Sequence, residues 1–371
     1  MRYLGLDVHT KATVWHLLDR EGQTVETGKT ATTGPALTTL VRRFADQDEL
    51  TVGQEVGKMA YLVHDVLTAA KVRVLSFNAW HLRMVASSRK KTDRRDAYWL
   101  AKILQTGMMP HPVYIPTGEI RELRGLLSRR VAIVGERKRW LLRARSHLEA
   151  AGCPPQRRGR SITRLLESSL AAPDGIDATV ADSVDLCQRM HATLTAELAR
   201  VEGLLHEKAK GIDAVKRLLT IPAVGERVAL TVYAWVGDVR RFRSSRELGS
   251  YAGLVPSVRQ SGEKTQLGPI TGAGSPELRR MLVQAGHVLL FRCRSADAAP
   301  LKAIAERVQT ARARRKIAVV AAGRHILRIA YYVLRDGTNY DPARLRPPAE
   351  QPVVVAPGSD SEQQEASMPA A

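Results

Sequence analysis

Residues 2–30 read RYLGLDVHTKATVWHLLDREGQTVETGKT. Within them, 2–9 (RYLGLDVH), 12–18 (ATVWHLL) and 23–30 (QTVETGKT) are short β-rich runs separated by polar or glycine-containing breaks, which predicts a three-strand meander. Working outward, a helix is expected over 35–45, a strand at 50–54 (LTVGQ), a helix over about 58–70, a strand at 72–77 (VRVLSF) and a helix over about 92–105. A meander followed by alternating helix and strand implies a mixed sheet with helices on its faces, an α/β arrangement.

Four carboxylates fall at telling places in this frame. Asp7 lies at the end of the first strand and Glu55 just after the fourth, while Asp93 and Asp96 are three apart and so share one face of a helix. If the first and fourth strands are neighbours and the helix packs across their ends, the acids can hold two divalent ions about 4 Å apart, the arrangement used in phosphodiester chemistry. Burying four acids together without cations is strongly unfavourable. Singly, each has a plainer reading: Asp7 ends a strand, Glu55 caps a helix, and Asp93 and Asp96 pair with Lys91, Arg94 or Arg95. Thr92 reads as the N-cap of that helix.

These acids sit in a chain of 371 residues with 57 Lys and Arg against 37 Asp and Glu, a formal charge of +20, with most of the excess in residues 211–350. A field of that size releases condensed counterions from a polyanion on contact, so strong, salt-dependent binding to DNA or RNA is expected. The three cysteines, Cys153, Cys187 and Cys293, show no CxxC spacing and support neither a disulfide framework nor a zinc site. With no apolar run of about eighteen residues, the chain reads as cytoplasmic.

From Ile120 to Leu148 apolar residues recur every seven positions (Ile120, Leu127, Val134, Leu141, Leu148), flanked by Leu126, Ile133 and Trp140, which predicts a long amphipathic helix. Its opposite face is cationic, and Arg129, Arg130, Arg137, Lys138, Arg139, Arg143 and Arg145, with Arg157 and Arg158 beyond it, are candidates to lie along nucleic acid. Val180, Val184, Cys187, His191, Leu194, Leu198, Val201 and Leu205 alternate spacings of four and three, a coiled-coil seam in which His191 reads as a tolerated polar residue. In LLTIPAVGERVALTVYAWVGD, Pro222 and Gly225 mark a tight connection between two helices, suited either to gripping phosphate or simply to packing. A short helix over 246–252 leads into LVPSVRQSGEKTQLGPITGAGSPELRR, read as a glycine-, serine- and arginine-rich loop. Helices follow over 276–291 and, as a pair, over 302–335. Arg259, Lys264, Arg279, Arg280, Arg314, Arg315 and Lys316 are the second half's candidate nucleic-acid contacts, and the acidic, proline-rich stretch after Arg346 reads as a disordered tail.

GLDVHTK at 5–11, Glu55 after a β-run and KTDRRDAYWLAKIL at 91–104 resemble the RuvC-like domain of the DEDD transposases of insertion sequences. LLTIPAVG, GDVRRFRSSRELGSYAGLVPSVRQSG at 237–262 and GSPELRRMLVQAG at 274–286 are similar to that family's C-terminal transposase domain, so the resemblance runs from residue 2 to 342. One departure is Val56–Gly57 after Glu55, where relatives often carry a small residue or Thr/Ser and then Gly.

The resemblance implies an RNase H/RuvC-like catalytic domain at 1–112, an arginine-rich coiled-coil linker at 113–210, a mostly helical transposase domain at 211–346 and a tail at 347–371. It further implies a nucleoid-associated recombinase guided by a structured bridge RNA that pairs with donor and target DNA. Asp7, Glu55, Asp93 and Asp96 would bind Mg²⁺, or Mn²⁺, and Ser261 would be the nucleophile of a covalent phosphoserine link. The active assembly would be a homo-oligomer, a dimer or tetramer, with each site built from two protomers. Read alone, Ser261 beside Gly262 is an ordinary turn serine with Ser257 and Ser275 nearby, although Arg259, Lys264 and a glycine-containing loop suit a phosphate. Three other readings stand beside this one: a RuvC-like nuclease or junction resolvase that directs water with the same acids, an actin-like kinase or ATPase, and a non-catalytic RNA-binding protein. The kinase reading lacks further glycine-rich phosphate loops.

Overall fold

A computed structural model describes residues 1–85, 92–153, 176–261, 264–312 and 315–344, and the chain forms two compact units, 1–117 and 118–371. Arg157, Arg158, Arg314 and the tail after Arg346 lie outside the described residues.

The first unit is built on five strands: β1 (Arg2–Val8), β2 (Ala12–Leu18), β3 (Thr24–Ala31), β4 (Leu50–Glu55) and β5 (Arg73–Phe77). Their order is β3-β2-β1-β4-β5, with the meander antiparallel and β1, β4 and β5 mutually parallel. The sheet is therefore mixed, as the sequence pattern requires, and β4 reaches its place beside β1 through α1 (Gly34–Ala45). Alternation along β1 separates two faces. Leu4 and Leu6 are fully buried against α1 and α2 (Ala60–Ala69), in a core that includes Leu37, Val41, Phe44, Val63 and Leu67. The intervening Tyr3, Gly5 and Asp7 face α4 (Asp93–Thr106).

Gly5 sets the distance between β1 and α4. A Cβ there would lie 2.0 Å from the Ala97 carbonyl oxygen and 2.5 Å from the Ala101 nitrogen, so the helix backbone rests directly on the strand. Its parallel neighbour in β4 is Gly53, which packs under Leu104. Small residues in two adjacent strands thus make the furrow that α4 occupies. Gly107, in the left-handed conformation, ends that helix (φ 69°). A further short helix, α3 (Ala79–Val85), was not expected from the sequence; Asn78 Oδ1 accepts the Trp80 N–H at its start.

In the second unit α5 (Gly118–Ala150) and α6 (Ala178–Gly211) run antiparallel along one another. Lys208 pairs with Glu122 and Arg130 with Glu202 at one end, while Leu148, Cys153 and Val184 pack together at the other. The expected seven-residue seam is only partly sealed. Leu123, Leu127, Ala144 and Leu148 of α5 are buried, whereas Ile120, Leu126, Ile133, Val134, Trp140 and Leu141 are half-buried, because two helices alone cover a narrow stripe. The base of this hairpin shares one core with α7 (Asp213–Leu219), α8 (Glu226–Val236), α10 (Pro276–Phe291), α11 (Ala299–Arg312) and α12 (Arg315–Asp336). Helix α12 is long and apolar enough to span a membrane by composition, but Ala318, Ala322, Ile326, Leu327, Ala330 and Val333 are buried, as befits a core helix. It crosses α10 backbone to backbone: a Cβ on Gly286 would meet the Val319 carbonyl oxygen at 2.3 Å.

After α9 (Ser245–Tyr251), the segment read as a loop contains a two-stranded antiparallel hairpin, β6 (Pro256–Ser261) and β7 (Lys264–Ile270). The correction has a physical reason. Glycines and prolines interrupt the stretch and mask its alternation, yet Val258 pairs across from Leu267, and both remain exposed, so no buried stripe advertises the strands.

A carboxylate cluster as a candidate metal centre

Strand register and one helix crossing assemble the cluster. Asp7 follows Gly5 by two residues on the α4 face of β1, and Glu55 follows Gly53 by two on the same face of β4. Since Gly5 pairs with Gly53, the two acids come out side by side at the ends of adjacent parallel strands. Helix α4 begins over those ends, with Asp93 and Asp96 in its first turn, where the positive end of the helix dipole favours carboxylates. Thr92 occupies the N-cap with extended backbone but makes no side-chain cap hydrogen bond.

The electrostatics record this convergence. The Asp7 side chain is 18% exposed. Burial raises its carboxyl above the ordinary aspartate range, nearby His9 opposes the rise, and the charges of Asp93, Asp96 and Glu55 add to it. The charges of Asp93, Asp96 and Glu55 thus all reach Asp7, while among the described residues the ligand atoms that gather within 4.8 Å of one another are those of Asp7, His9 and Asp93. The plainer reading of Asp93 and Asp96 as partners of Arg94 and Arg95 finds no such ion pair among the described residues, and Lys91 lies outside them.

His9 is a member of the site that sequence reasoning missed. Its Nε2 lies 3.2 Å from Asp7 Oδ2 and 3.3 Å from Asp93 Oδ2, and one ligand atom from each of Asp7, His9 and Asp93 fits within 4.8 Å of the others. The signal was available, since a residue two positions beyond Asp7 continues its face. The turn carrying His9 is well anchored: its N–H donates to the Ala12 carbonyl (3.1 Å), its carbonyl accepts the Thr32 hydroxyl (2.8 Å), and Thr32 pairs with buried Thr13 (2.8 Å). Carboxylate oxygens with one imidazole nitrogen form a donor set suited to a divalent cation, and such an ion would relieve the repulsion that Asp7 now feels. We expect His9→Ala to weaken Mn²⁺ binding severalfold with little change in thermal stability, measured by calorimetry and a melting curve; unchanged Mn²⁺ affinity would remove His9 from the donor set.

Ser261 is the last residue of β6 and its backbone pairs with Lys264 across the hairpin. The basic candidates divide. Arg130, Arg139 and Arg145 are engaged with Glu202, Glu136 and Glu149, and Arg279 donates to the carbonyls of Ala252 and Ala273. Arg143 stacks on Trp140 at 4.4 Å, and Arg137 is half-buried facing His191. Arg129, Lys138, Arg259, Arg280, Arg315 and Lys316 are exposed.

Residues 4–152 match a family described as "Transposase", whose designation carries the DEDD label, and residues 215–302 match the "Transposase IS116/IS110/IS902 family". The chain is 27% identical over 256 residues to a "Probable family 20 transposase" of Pseudomonas aeruginosa, covering 68% of this chain and 75% of that protein. It is 31% identical over 210 residues to the transposase for insertion sequence element IS1111A of Coxiella burnetii, covering 54% of this chain and 55% of the relative. It is also 30% identical over 125 residues to the "Pilin gene-inverting protein" of Moraxella lacunata, 33% of this chain and 38% of that one. With both halves matched in order, the chain belongs to the DEDD transposases of insertion sequences, a family of enzymes that cut and rejoin DNA.

Proposed function

We propose that this protein is an RNA-guided DNA recombinase of an insertion sequence, working in the cytoplasm on the nucleoid. The observation that supports the reading is Asp7 and Asp93 meeting beside His9 at one end of the mixed sheet, with the charges of Glu55 and Asp96 reaching Asp7, within a chain of net charge +20. These acids would hold Mg²⁺ or Mn²⁺, which would supply positive charge to offset the negative charge developing on a phosphodiester. The chain's own groups do the rest. Asp7 and Asp93, steadied by His9, hold their carboxylates in place, and the buried Thr13–Thr32 pair anchors the exposed turn that carries His9.

The nucleophile in this reading is Ser261. Its hydroxyl loses a proton and attacks phosphorus, a P–O bond to serine forms as the bond to the departing strand breaks, and that strand's oxygen takes up a proton. The reverse step rejoins DNA with no external energy source, because the phosphodiester is conserved as a phosphoserine ester. In this account residues 1–112 hold the acids, the α5–α6 hairpin within 113–210 serves as a coiled-coil linker that helps build a dimer or tetramer, and residues 211–346 carry the serine. Donor DNA, target DNA and a structured bridge RNA are the partners, with sequence read by base pairing and the protein holding shape and backbone. The exposed cations Arg129, Lys138, Arg259, Arg280, Arg315 and Lys316 suit that hold.

Ser261→Ala tests the covalent step. With DNA and guide RNA bound as in wild type, the variant is expected to lose protein–DNA adducts, read as a protease-sensitive shift on a denaturing gel. Adducts that persist in it would assign the nucleophile elsewhere; cleavage without adducts in wild type would favour a water-directing nuclease.

A further inference from the structure

A pocket of about 770 Å³ lies between α9 and α12, lined by Ser244, Ser245, Arg246, Gly249, Ser250, Val255, Arg324, His325, Arg328 and Tyr332. Three of these residues are arginines and none is a carboxylate. Four other pockets among the described residues each include at least one acid: Asp336 and Asp341, Glu202 and Glu226, Asp93, or Glu277. Arg324 and Arg328 are four apart on α12, a like-charge spacing that costs helix stability, and Arg246 faces them from α9. All three are exposed at the rim and make no ion pair among the described residues. Tyr332, one turn beyond Arg328, completes the wall of the pocket beside Ser245.

His325 senses the local field. Burial holds its imidazole at about 4, with the positive charges of Arg324, Arg328 and Arg307 adding to the effect, so it stays neutral at physiological pH amid the arginines. Uncompensated guanidinium groups from two helices, in a recess roomy enough for a ligand, are built to receive an anion bidentately.

We propose that this recess is a phosphodiester clamp in which Arg246, Arg324 and Arg328 grip the sugar–phosphate backbone of a nucleic acid. Its place in the fold supports a positioning role. Val255 in the pocket wall immediately precedes β6, and Ser261 ends that strand, so one strand connects the clamp to the segment that carries the serine. A backbone held by the clamp would be positioned relative to the serine by that strand. The proposal rests on the nucleic-acid reading above.

The test uses the full chain and fluorescence anisotropy with a labelled DNA duplex and a labelled RNA hairpin, each titrated at several salt concentrations. The double variant Arg324→Ala/Arg328→Ala is expected to bind at least one of them about tenfold or more weakly, with a log–log salt slope lower by about two. Arg246→Ala, on the other helix, lowers the slope by about one for the same nucleic acid. Whichever probe responds identifies the occupant as DNA or RNA. Lys216→Gln, at an exposed Lys–Asp pair elsewhere, leaves the slope unchanged. Wild-type affinity and slope for both probes in the double variant and in Arg246→Ala would overturn the clamp while leaving the recombinase reading standing. Failure of wild type itself to bind either probe would overturn both.

Discussion

Asp7→Asn is expected to reduce DNA strand cleavage by at least about a thousandfold while leaving the protein folded. The magnitude follows from the role assigned to the carboxylate: charge supplied to a phosphoryl transition state is worth several kcal/mol, and each 1.36 kcal/mol is a factor of ten in rate. Asparagine keeps the shape of the side chain and an oxygen for His9, so the loss isolates charge from packing. Stability is expected to move the other way. Burial and three neighbouring carboxylates raise the Asp7 pKa in the fold, so at neutral pH its ionised form is held at a cost that the unfolded chain does not bear. Removing that charge in a chelator-containing buffer should hold or raise the melting temperature. Near-wild-type cleavage, or a collapse in stability, would contradict the assignment. A site that trades stability for chemistry is expected to show this opposition.

Gly5→Ala is expected to be the most damaging single-methyl change in the first unit, destabilising it by about 3 kcal/mol or more. The added carbon would fall 2.0 Å from a helix carbonyl oxygen and 2.5 Å from a helix nitrogen, contacts that no rotamer change can relieve. Strand and helix must separate, and α4 carries Asp93 and Asp96 with it. The variant should therefore unfold at lower denaturant and also bind divalent metal more weakly. Wild-type stability in a denaturant titration would show that α4 does not rest on β1 as described.

Much of this was legible in the sequence. The five strands and the helices between them are bounded by polar and glycine-containing breaks, and their observed limits fall within a residue or two of those expected. Asp7, Glu55, Asp93 and Asp96 stood out because acids at strand ends and in a helix's first turn have few plain reasons to cluster in a basic chain. What escaped notice lacked a periodic signal. Helix α3 has seven residues, too few for two full turns. The β6–β7 hairpin exposes Val258 and Leu267 on both partners, and without a buried face an alternating pattern has nothing to mark it. His9 was passed over because it sits in a polar turn, where only the register of β1 reveals that it shares the face of Asp7. The arginine recess joins residues some eighty positions apart, Arg246 with Arg324 and Arg328, which no local window contains. Conversely, the seven-residue seam of α5 promised more burial than two helices can give, and of its expected residues only Leu127 and Leu148 are buried.

The central claim is that carboxylates from β1, β4 and α4 form one cation-binding centre. Isothermal calorimetry of Mn²⁺ into the nucleic-acid-free protein, wild type against Asp7→Asn, addresses it directly. The account predicts saturable binding in wild type that falls by an order of magnitude or more in Asp7→Asn. Indistinguishable isotherms, or no saturable binding in wild type with or without bound DNA, would contradict it.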